Sequence, residues 1–296
     1  MKPAPFEYFA AESLACALEL KARHGDEARF LAGGQSLIPA MNFRLAQPAV
    51  LIDINPLPQL DGIEVDGAGG MLIGALTRYR SLERSAQVSR HQPLLAEAVP
   101  NVAHPQVRNR GTLAGNLAHA DPASELPAVM LASRAILRVQ SVRGERRIAA
   151  QDFFVNLFTT ALAADEMLTG IELPALPPRS GCAFIEVARR RGDYAMMGVA
   201  AVVVLDAAGV CVEARLACCN AGPTPMPLAA AAAALRGARV DAAAAAHAAE
   251  LARGEVDPPG NLHASAAFQR HLLGVLTRRA LAAAGGRAHA ISREAS

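Results

Sequence analysis

The first 56 residues alternate between short apolar runs and stretches with helical spacing. Apolar side chains recur at helical intervals over 12–24, and compact apolar runs at 28–32 and 50–54 predict two short strands. Ser36 can cap a helix that continues to about residue 46 between those strands. A strand, a helix and a second strand in this order favour parallel strands with a right-handed crossover. We therefore predict a first α/β subdomain over residues 1–56.

The next stretch, 57–176, has a different pattern, with hairpins on either side of several short helices. Apolar runs around a Gly-rich turn predict one hairpin over 62–76, and a second hairpin is predicted over 135–150. Helical spacing and capping residues predict three helices between the hairpins: near 77–85, near 92–100, and from Pro122 with Asp121 as the N-cap. These elements form a second predicted subdomain.

Residues 177–288 combine a predicted sheet with Ala-rich helices, after a Pro-rich linker at 174–181. Three apolar runs joined by tight turns predict an antiparallel meander with strands at 183–189, 195–205 and 210–219. Helices are predicted at 228–236, 241–253 and 264–284, the last with Phe268 on its apolar stripe. After Gly285 we expect a frayed end, with 289–296 as a flexible tail. The predicted fold class is therefore mixed α/β (α+β).

Composition narrows the class of function. Hydrophobic residues make up 52% of the chain and charged residues 19%, which supports a large core and argues against disorder. The net charge of +2 provides no electrostatic case for binding nucleic acid or a membrane surface. No stretch has the character of a signal peptide or of a membrane span, so we expect a cytoplasmic protein.

The five cysteines show neither C-x-x-C spacing nor another ligand spacing. We expect them to be buried, reduced thiols, and we expect no zinc or iron–sulfur site within this chain. Cys218 and Cys219 are adjacent on a predicted strand, so their side chains should point to opposite faces. His119 and Asp121 would provide only two ligands, which makes a poor metal site.

The sequence AGGQS at 32–36 places two glycines between a predicted strand and the start of a helix. Without side chains, Gly33 and Gly34 let the backbone approach another group closely. The N–H groups at a helix start attract anions, and the Ser36 hydroxyl adds a hydrogen-bonding group, so a phosphate would fit. A plain strand–helix turn that needs a positive φ explains the same residues equally well.

A second stretch of this kind, RGTLAGN at 110–116, combines small residues with Thr112 and Asn116. Two such loops favour a ligand with two phosphates, held between two subdomains. Neither loop has the G-x-G-x-x-G fingerprint of doubly wound dinucleotide-binding folds, and the P-loop pattern is absent from the chain. His104 and His119 flank the second loop, where a hydrogen-bonding role in the loop is favoured over a role as catalytic base.

Four motifs, in the same order, resemble the flavin-binding medium subunit of molybdenum hydroxylases, the xanthine dehydrogenase and aerobic carbon monoxide dehydrogenase family. The motifs are AGGQSLIPAMNFRLAQPAVLIDI, VRNRGTLAGNLAHADPASELPAVMLA, RRRGDYAMMGVAAVVV and AFQRHLLGVLTRRAL. The resemblance extends from about Phe6 to Leu281. It implies a fold of the vanillyl-alcohol oxidase type, in which two α/β subdomains hold FAD and a third domain packs against them.

The resemblance also implies which residues bind FAD. The first pyrophosphate loop would contain Ala32, Gly33, Gly34, Gln35, Ser36 and Leu37, and the second Gly111, Thr112, Ala114, Gly115 and Asn116. Glu125 would lie near the ribose or adenine of FAD, and Leu168 and Ile171 on the strand that lines the flavin. Two residues depart from the family pattern: Ala114 replaces the first glycine of the usual T-I-G-G, and Glu186 stands where some relatives have a lysine.

Tyr194 follows a tight turn in RRRGDYA. The resemblance would place its ring against the isoalloxazine, where offset stacking would shield one flavin face from water. A tyrosine in a surface turn is the alternative interpretation. The arginines at 189–191 are typical of a solvated turn, and a docking surface for an acidic partner is the other interpretation.

By the same resemblance, this chain is the FAD-binding electron-transfer subunit of a hetero-oligomeric complex. A large subunit with a molybdenum cofactor would oxidise the substrate, and a small subunit with two [2Fe-2S] clusters would pass electrons to the flavin. The flavin would deliver them to an external acceptor. Two other interpretations stay open, namely a self-contained FAD oxidoreductase of the same fold and a scaffold subunit without flavin.

Overall fold

The N-terminal subdomain is a small parallel sheet with helices in its connections. The computed structural model describes residues 2–294 of the chain. In chain order the elements are β1 (Glu7–Ala10), α1 (Leu14–His24), β2 (Ala28–Leu31), α2 (Leu37–Asn42) and β3 (Val50–Asp53). The strands pair in parallel, in the order β1-β3-β2, so the predicted parallel pairing of β2 and β3 is confirmed. Strand β1 was not predicted, because its residues are mostly exposed and lack an apolar face.

Helix α2 ends earlier than residue 46, where we predicted its end. Phe43 is its C-cap, and Arg44 adopts a left-handed φ of 57°. Left-handed backbone is unfavourable for a residue with a Cβ inside a helix, so the helix stops there. Leu45, which we had assigned to the helix, is 84% exposed.

The second subdomain is an antiparallel sheet with a group of short helices. Its elements in chain order are β4 (Ile63–Val65), β5 (Met71–Gly74), α3 (Tyr79–Arg84), α4 (Ala86–His91), α5 (Pro93–Ala98), α6 (Pro105–Arg108), α7 (Leu113–His119), α8 (Glu125–Ser133), β6 (Ile136–Ser141), β7 (Gly144–Ala149), α9 (Ala150–Phe153), β8 (Phe154–Asn156), β9 (Thr159–Thr160) and β10 (Met167–Leu173). The five main strands lie in the order β4-β5-β10-β6-β7. Both predicted hairpins are confirmed, as β4–β5 and β6–β7.

Two local predictions in this subdomain are wrong. We expected a Gly-rich turn at 110–116, but the chain is helical from Leu113, because Thr112 accepts a hydrogen bond from the Gly115 N–H at 3.1 Å and so caps α7. Helix α8 begins at Glu125, not at Pro122, with Ser124 as its N-cap. Asp121 instead accepts a hydrogen bond from the Ala123 N–H at 2.9 Å, which stabilises a turn before the helix.

The C-terminal domain is a four-stranded antiparallel sheet followed by helices. Its elements are β11 (Ser180–Ala188), β12 (Ala195–Leu205), β13 (Cys211–Cys219), β14 (Met226–Pro227), α10 (Ala229–Ala233), α11 (Ala242–Gly254) and α12 (Ala266–Glu294). The strands lie in that order, which confirms the predicted meander.

This sheet is buried on both faces, which explains why its central strand is almost continuously apolar. Val199, Ala201 and Val203 pack towards α11 and α12, whereas Ala200 and Val202 belong to the core shared with the second subdomain, from which α5 and α8 pack on the sheet. Cys218 and Cys219 divide in the same way, as predicted for adjacent strand residues. The C-terminal domain is thus packed against α5 and α8, the helices on either side of the segment that contains the second Gly-rich loop.

The predicted frayed end is helical: α12 continues past Gly285 to Glu294. The helix axis comes very close to β11, since a Cβ on Gly181 would lie 2.5 Å from the Ala288 backbone nitrogen. Ala284 and Ala288 are fully buried in this contact, so packing holds the last turns together. Residues 295 and 296 of the predicted tail lie outside the described residues. Phe268, placed on the apolar stripe, is 44% exposed.

All five cysteines are free, and Cys16 is the one that is not buried. None of the helices in the described part of the chain combines the length and the hydropathy that a bilayer crossing requires.

Candidate functional site

A deep cleft of about 690 Å³ lies between the first two subdomains, and a turn of the C-terminal domain reaches its edge. Both Gly-rich loops line this cleft, together with Glu125, Leu168 and Tyr194. Ile171 is the exception among the predicted site residues: it is fully buried on β10, pairs with Leu137 and Ile73, and belongs to the core rather than to the cleft wall.

The first loop, residues 32–37, lines the cleft and has no side chain at Gly33 and Gly34. Gly34 has a φ of 69°, in the region that favours glycine. Among the described residues, the backbone N–H groups of Gly34, Gln35 and Ser36 donate to no protein acceptor. Ser36 is the N-cap of α2, but its side chain makes no capping hydrogen bond, contrary to our prediction. The loop therefore offers a row of free donors to an anion.

The two loops touch each other at Gly33. A Cβ on Gly33 would lie 2.8 Å from the Gly111 Cα and would also collide with the Arg110 carbonyl oxygen. Gly33 is therefore required by close contact between the loops, not by contact with a ligand. The sequence could not reveal this reason for a glycine at position 33, because the two loops are distant in the chain.

The second loop, residues 110–116, contributes the start of α7. A Cβ on Gly115 would meet only the Thr112 hydroxyl, at 2.7 Å, and would otherwise project into the open cleft. The Ala114 methyl is 4% exposed and packs in the core, which explains why an alanine is accepted there. Since α2 and α7 are only a turn or two long, anion binding here rests on individual N–H groups rather than on the dipole of a long helix.

Behind the second loop lies Tyr79, which sequence reasoning missed. It is 5% exposed and supports Gly111, where a Cβ would come within 2.5 Å of the tyrosine ring. Burial raises the pKa of Tyr79 far above its usual value, so the hydroxyl stays protonated. The side-chain amide of Asn116, in the same loop, donates to the Ser124 hydroxyl at 2.7 Å. The second loop thus packs on a buried tyrosine whose hydroxyl stays protonated.

Glu125 lies deeper than the resemblance implied for a ribose or adenine contact. It is 3% exposed at the start of α8, and burial together with the nearby Glu186 carboxyl raises the pKa of Glu125 to about 8. Burial raises the pKa of Glu186 to about 7, and one of its carboxyl oxygens has no hydrogen-bond partner among the described residues. The Glu186 carboxyl, on β11, is thus close enough to Glu125, on α8, to disfavour its charged form, and burial disfavours the charged form of both acids.

Tyr194 is placed at the edge of the cleft by the turn between β11 and β12. Gly192 in that turn has a φ of 89°, and a Cβ there would lie 2.8 Å from the Ala103 carbonyl oxygen and also collide with His104. The turn is therefore docked tightly on the second subdomain. The Tyr194 side chain is 60% exposed and lies beside the Asp121 carboxylate. Its ring is available to cover a ligand in the cleft.

A further part of the wall comes from the β8–β9 hairpin, which sequence reasoning did not include in the site. Phe158 at its tip is 53% exposed and packs on His119, with 5.1 Å between ring centroids. The Phe158 N–H donates to the Ala120 carbonyl at 3.2 Å, which fixes the hairpin on α7. Burial lowers the pKa of His119 from its usual value, which agrees with a packing role rather than a catalytic one. The apolar run FVNLF was the available signal.

Comparison with known proteins identifies the family. Residues 4–176 match the model of the FAD binding domain in molybdopterin dehydrogenase, and residues 182–284 match the carbon monoxide dehydrogenase flavoprotein C-terminal domain. The chain is an FAD-binding medium subunit of the molybdenum hydroxylase family.

Several relatives resemble this medium subunit over nearly their whole length. The 6-hydroxypseudooxynicotine dehydrogenase complex subunit alpha of Paenarthrobacter nicotinovorans is 43% identical over 97% of both chains. The carbon monoxide dehydrogenase medium chain of Hydrogenophaga pseudoflava is 37% identical over 97% of this chain and 99% of its own. Among solved structures, carbon monoxide dehydrogenase from Hydrogenophaga pseudoflava superimposes with a TM-score of 0.94 and 38% identity over 97% of this chain and 99% of that chain.

A second solved structure extends the likeness to another activity. Quinoline 2-oxidoreductase from Pseudomonas putida 86 superimposes with a TM-score of 0.92 and 35% identity, over 97% of this chain and 99% of that one. The same architecture thus recurs in complexes named for different substrates. The observed mixed helix and strand fold is that of the family, as predicted.

The cleft of this medium subunit fits FAD on its own geometry. The free N–H groups of the first loop and the side-chain-free position of Gly115 provide the close, donor-rich surface that a pyrophosphate needs. The rest of the cleft, lined by residues such as Leu37, Val102, Leu162 and Leu168, is mainly apolar and suits flat aromatic rings. Within residues 2–294, no group of three or more His, Cys, Asp or Glu side chains is arranged to hold a metal ion.

Proposed function

We propose that this medium subunit transfers electrons out of a three-chain complex to an external acceptor. A large subunit with a molybdenum cofactor oxidises the substrate, a [2Fe-2S] small subunit carries the electrons, and this chain delivers them to an external acceptor. The observation that supports the proposal most strongly is the donor-lined cleft in a chain that matches, end to end, relatives named as the medium chain or subunit of a dehydrogenase complex. FAD supplies a centre that accepts and releases electrons singly or in pairs.

The chain's own residues bind and orient the cofactor in this proposal. The loops 32–37 and 111–116 hold the pyrophosphate through backbone N–H groups, with Gly115 leaving room for it. Leu168 packs against the cofactor from β10. Tyr194 covers the exposed end of the cleft and limits which acceptors reach it. Glu125 is almost completely buried, so it supports the wall of the cleft by packing and does not present an exposed carboxylate to the cofactor.

Metal analysis of the complex purified from its native source tests the proposal. We expect this chain to co-purify with two other chains, with iron and with molybdenum, in a hetero-oligomer. The isolated chain should hold FAD and accept electrons from a chemical reductant, yet it should not hydroxylate any substrate.

A self-contained FAD oxidoreductase of the same fold is the alternative. It would turn over a small-molecule substrate as the purified single chain, without iron or molybdenum. That result would replace the three-chain proposal. The free cysteines are consistent with a reducing, cytoplasmic location for the complex, which we also propose.

A further inference from the structure

A chain of polar side chains connects the two loops from behind. Asn55, just after β3, and Arg78, the N-cap residue of α3, border a separate surface cleft and do not line the FAD cleft. Neither residue belongs to the Gly-rich motifs. Their contacts nevertheless end on the backbone of both loops.

Asn55 holds the first loop. Its side-chain amide donates to the Ala32 carbonyl at 2.9 Å and, more weakly, to the Leu31 carbonyl at 3.3 Å. Asp53 orients the asparagine, since one Asp53 carboxylate oxygen accepts from the Asn55 amide at 2.6 Å and from its backbone N–H at 2.9 Å. The other Asp53 oxygen accepts from the Tyr8 hydroxyl at 2.6 Å. The Asn55 amide therefore donates both to Asp53 and to a loop carbonyl, and its own oxygen remains for another partner.

Arg78 supplies that partner and holds the second loop. Its guanidinium donates to the Asn55 side-chain oxygen at 2.5 Å and to the Arg110 carbonyl oxygen. The backbone on either side of Arg78 forms an antiparallel bridge with Thr112: the Tyr79 N–H donates to the Gly111 carbonyl at 3.0 Å, and the Leu113 N–H donates to the Thr77 carbonyl at 3.2 Å. Arg78 is thus bound to the second loop through both its main chain and its side chain.

The spacing of the loops matters because a pyrophosphate would contact N–H groups on both of them. The loops lie on different subdomains, so local backbone geometry cannot set the distance between them. At Gly33 they meet in a contact with no side chain. A planar guanidinium that reaches two fixed oxygen acceptors at once restricts distance and angle together, which a flexible ammonium group does not.

We propose that Asn55 and Arg78 are positioning residues that fix the two pyrophosphate loops at the separation FAD requires. The inference rests on the proposed assignment of those loops to the pyrophosphate. Neither Asn55 nor Arg78 is proposed to contact the ligand. A purely structural role, in which the pair only joins the two subdomains, is the competing explanation.

Binding of FAD and of ADP to the full-length chain stripped of its flavin separates these explanations. We expect Arg78→Ala and Asn55→Ala each to raise the Kd of both ligands about tenfold or more, because each removes a bond to a charged group and frees a loop. The double variant should bind no more weakly than the weaker single variant, because both changes break the same bridge. Arg80→Ala, on the same helix but paired with Glu83, is the matched control and should leave both Kd values unchanged.

Two further readouts distinguish positioning from general stability. At saturating FAD, the visible spectrum of each variant should equal that of the parent, because the bridge acts on the loops and not on the rings. The flavin-free variants should keep a cooperative melting transition. Unchanged Kd values in both single variants would overturn the proposal, as would losses that multiply in the double variant or a flavin-free chain that no longer melts cooperatively in either single variant.

A parallel titration of Gly115→Val separates failure of this inference from failure of the loop assignment. If Gly115→Val abolishes ADP binding while Arg78→Ala and Asn55→Ala do not weaken it, the loops bind the pyrophosphate without help from the bridge. If Gly115→Val leaves ADP binding intact, the loop assignment itself is wrong and the positioning role falls with it.

Discussion

The cleft has two unlike walls. The backbone wall, formed by residues 32–37 and 110–116, presents N–H groups and positions where a Cβ does not fit. The side-chain wall, formed by Tyr79, Glu125 and Tyr194 with Glu186 behind it, presents groups whose protonation matters.

The difference has a physical consequence for each wall. A backbone donor does not titrate in the physiological range, so the first wall is insensitive to pH but intolerant of added volume. Buried carboxyl groups accept changes of shape more readily than a change of charge. We therefore expect added side-chain volume to disrupt mainly the backbone wall and a change of pH to affect mainly the side-chain wall, and the following variants test this.

The largest effect is expected for Gly33→Val. Because its side chain would press on the Arg110–Gly111 backbone, the two loops must separate. We expect both loss of FAD and a lower free energy of unfolding, by about 1–3 kcal/mol for overpacking a tight contact. Thermal melting of the flavin-free chain measures the loss in the free energy of unfolding. The substitution therefore acts through the contact between the loops and not by filling the place of a phosphate. Parent-like melting of Gly33→Val would show that the loops do not depend on their mutual contact.

The side-chain wall should respond to pH. Burial first, and then the neighbouring carboxyl, raise the pKa of Glu125 to about 8, while burial raises the pKa of Glu186 to about 7. A raised pKa means that the folded chain binds more protons than the unfolded chain, so this contribution to stability is complete below the unfolded pKa of about 4.3 and is lost as pH rises through 7 and 8. Asp121, Tyr79 and Cys219 face the same pair from neighbouring elements.

Glu186→Gln should flatten this pH dependence, because the amide carries no charge at any pH. Denaturant unfolding at several pH values between 6 and 9 measures it, with the exposed Glu19→Gln as control. A loss of stability above pH 7 that is equally steep in Glu186→Gln and in the parent would show that the interface acids do not titrate there.

The smallest effect on binding is expected for Tyr194→Ala. Tyr194 lies at the edge of the cleft and is 60% exposed, so the loops should still hold FAD. Stacking contributes about 0.5–1.5 kcal/mol beyond burial, so the loss of stacking alone should weaken FAD binding by about two- to tenfold. It should shift the visible spectrum and change the rate with an external acceptor. A parent-like spectrum together with parent-like acceptor kinetics would reduce Tyr194 to a turn residue.

The two walls also differ in how well the sequence predicts them. Residues 32–37 and 110–116 could be singled out from the sequence, because glycines after a strand at 33–34 and small residues beside Thr112 and Asn116 are local signals. The contact at Gly33 and the bridge from Asn55 to Arg78 were not predicted, since they join segments that only the fold brings together.

In the side-chain wall, Glu125 and Tyr194 were predicted as site residues, but Tyr79 and the proximity of Glu125 to Glu186 were not. Glu125 and Glu186 come from different domains, and nothing in the sequence around either residue indicates that the other is near. The extension of α12 was missed because local helix signals weaken at Gly285, whereas packing of Ala284 and Ala288 on β11 stabilises the helix beyond it. The β4–β5 and β6–β7 hairpins and the β11–β12–β13 meander were predicted because their apolar runs and turns are local, whereas β1, the short β8–β9 hairpin and β14 lack such a signal.

The claim that FAD is held by the backbone wall is tested most directly by the flavin content of Gly115→Val. The substitution projects a branched side chain into the cleft, whereas Gly67→Val adds the same side chain to an open turn where a Cβ meets nothing within 4 Å. Both full-length variants should be purified alike and their FAD measured by visible absorbance per chain, with a melting curve to establish folding. We predict full flavin in Gly67→Val and almost none in a folded Gly115→Val, and a folded Gly115→Val with the parent's flavin content would contradict the account.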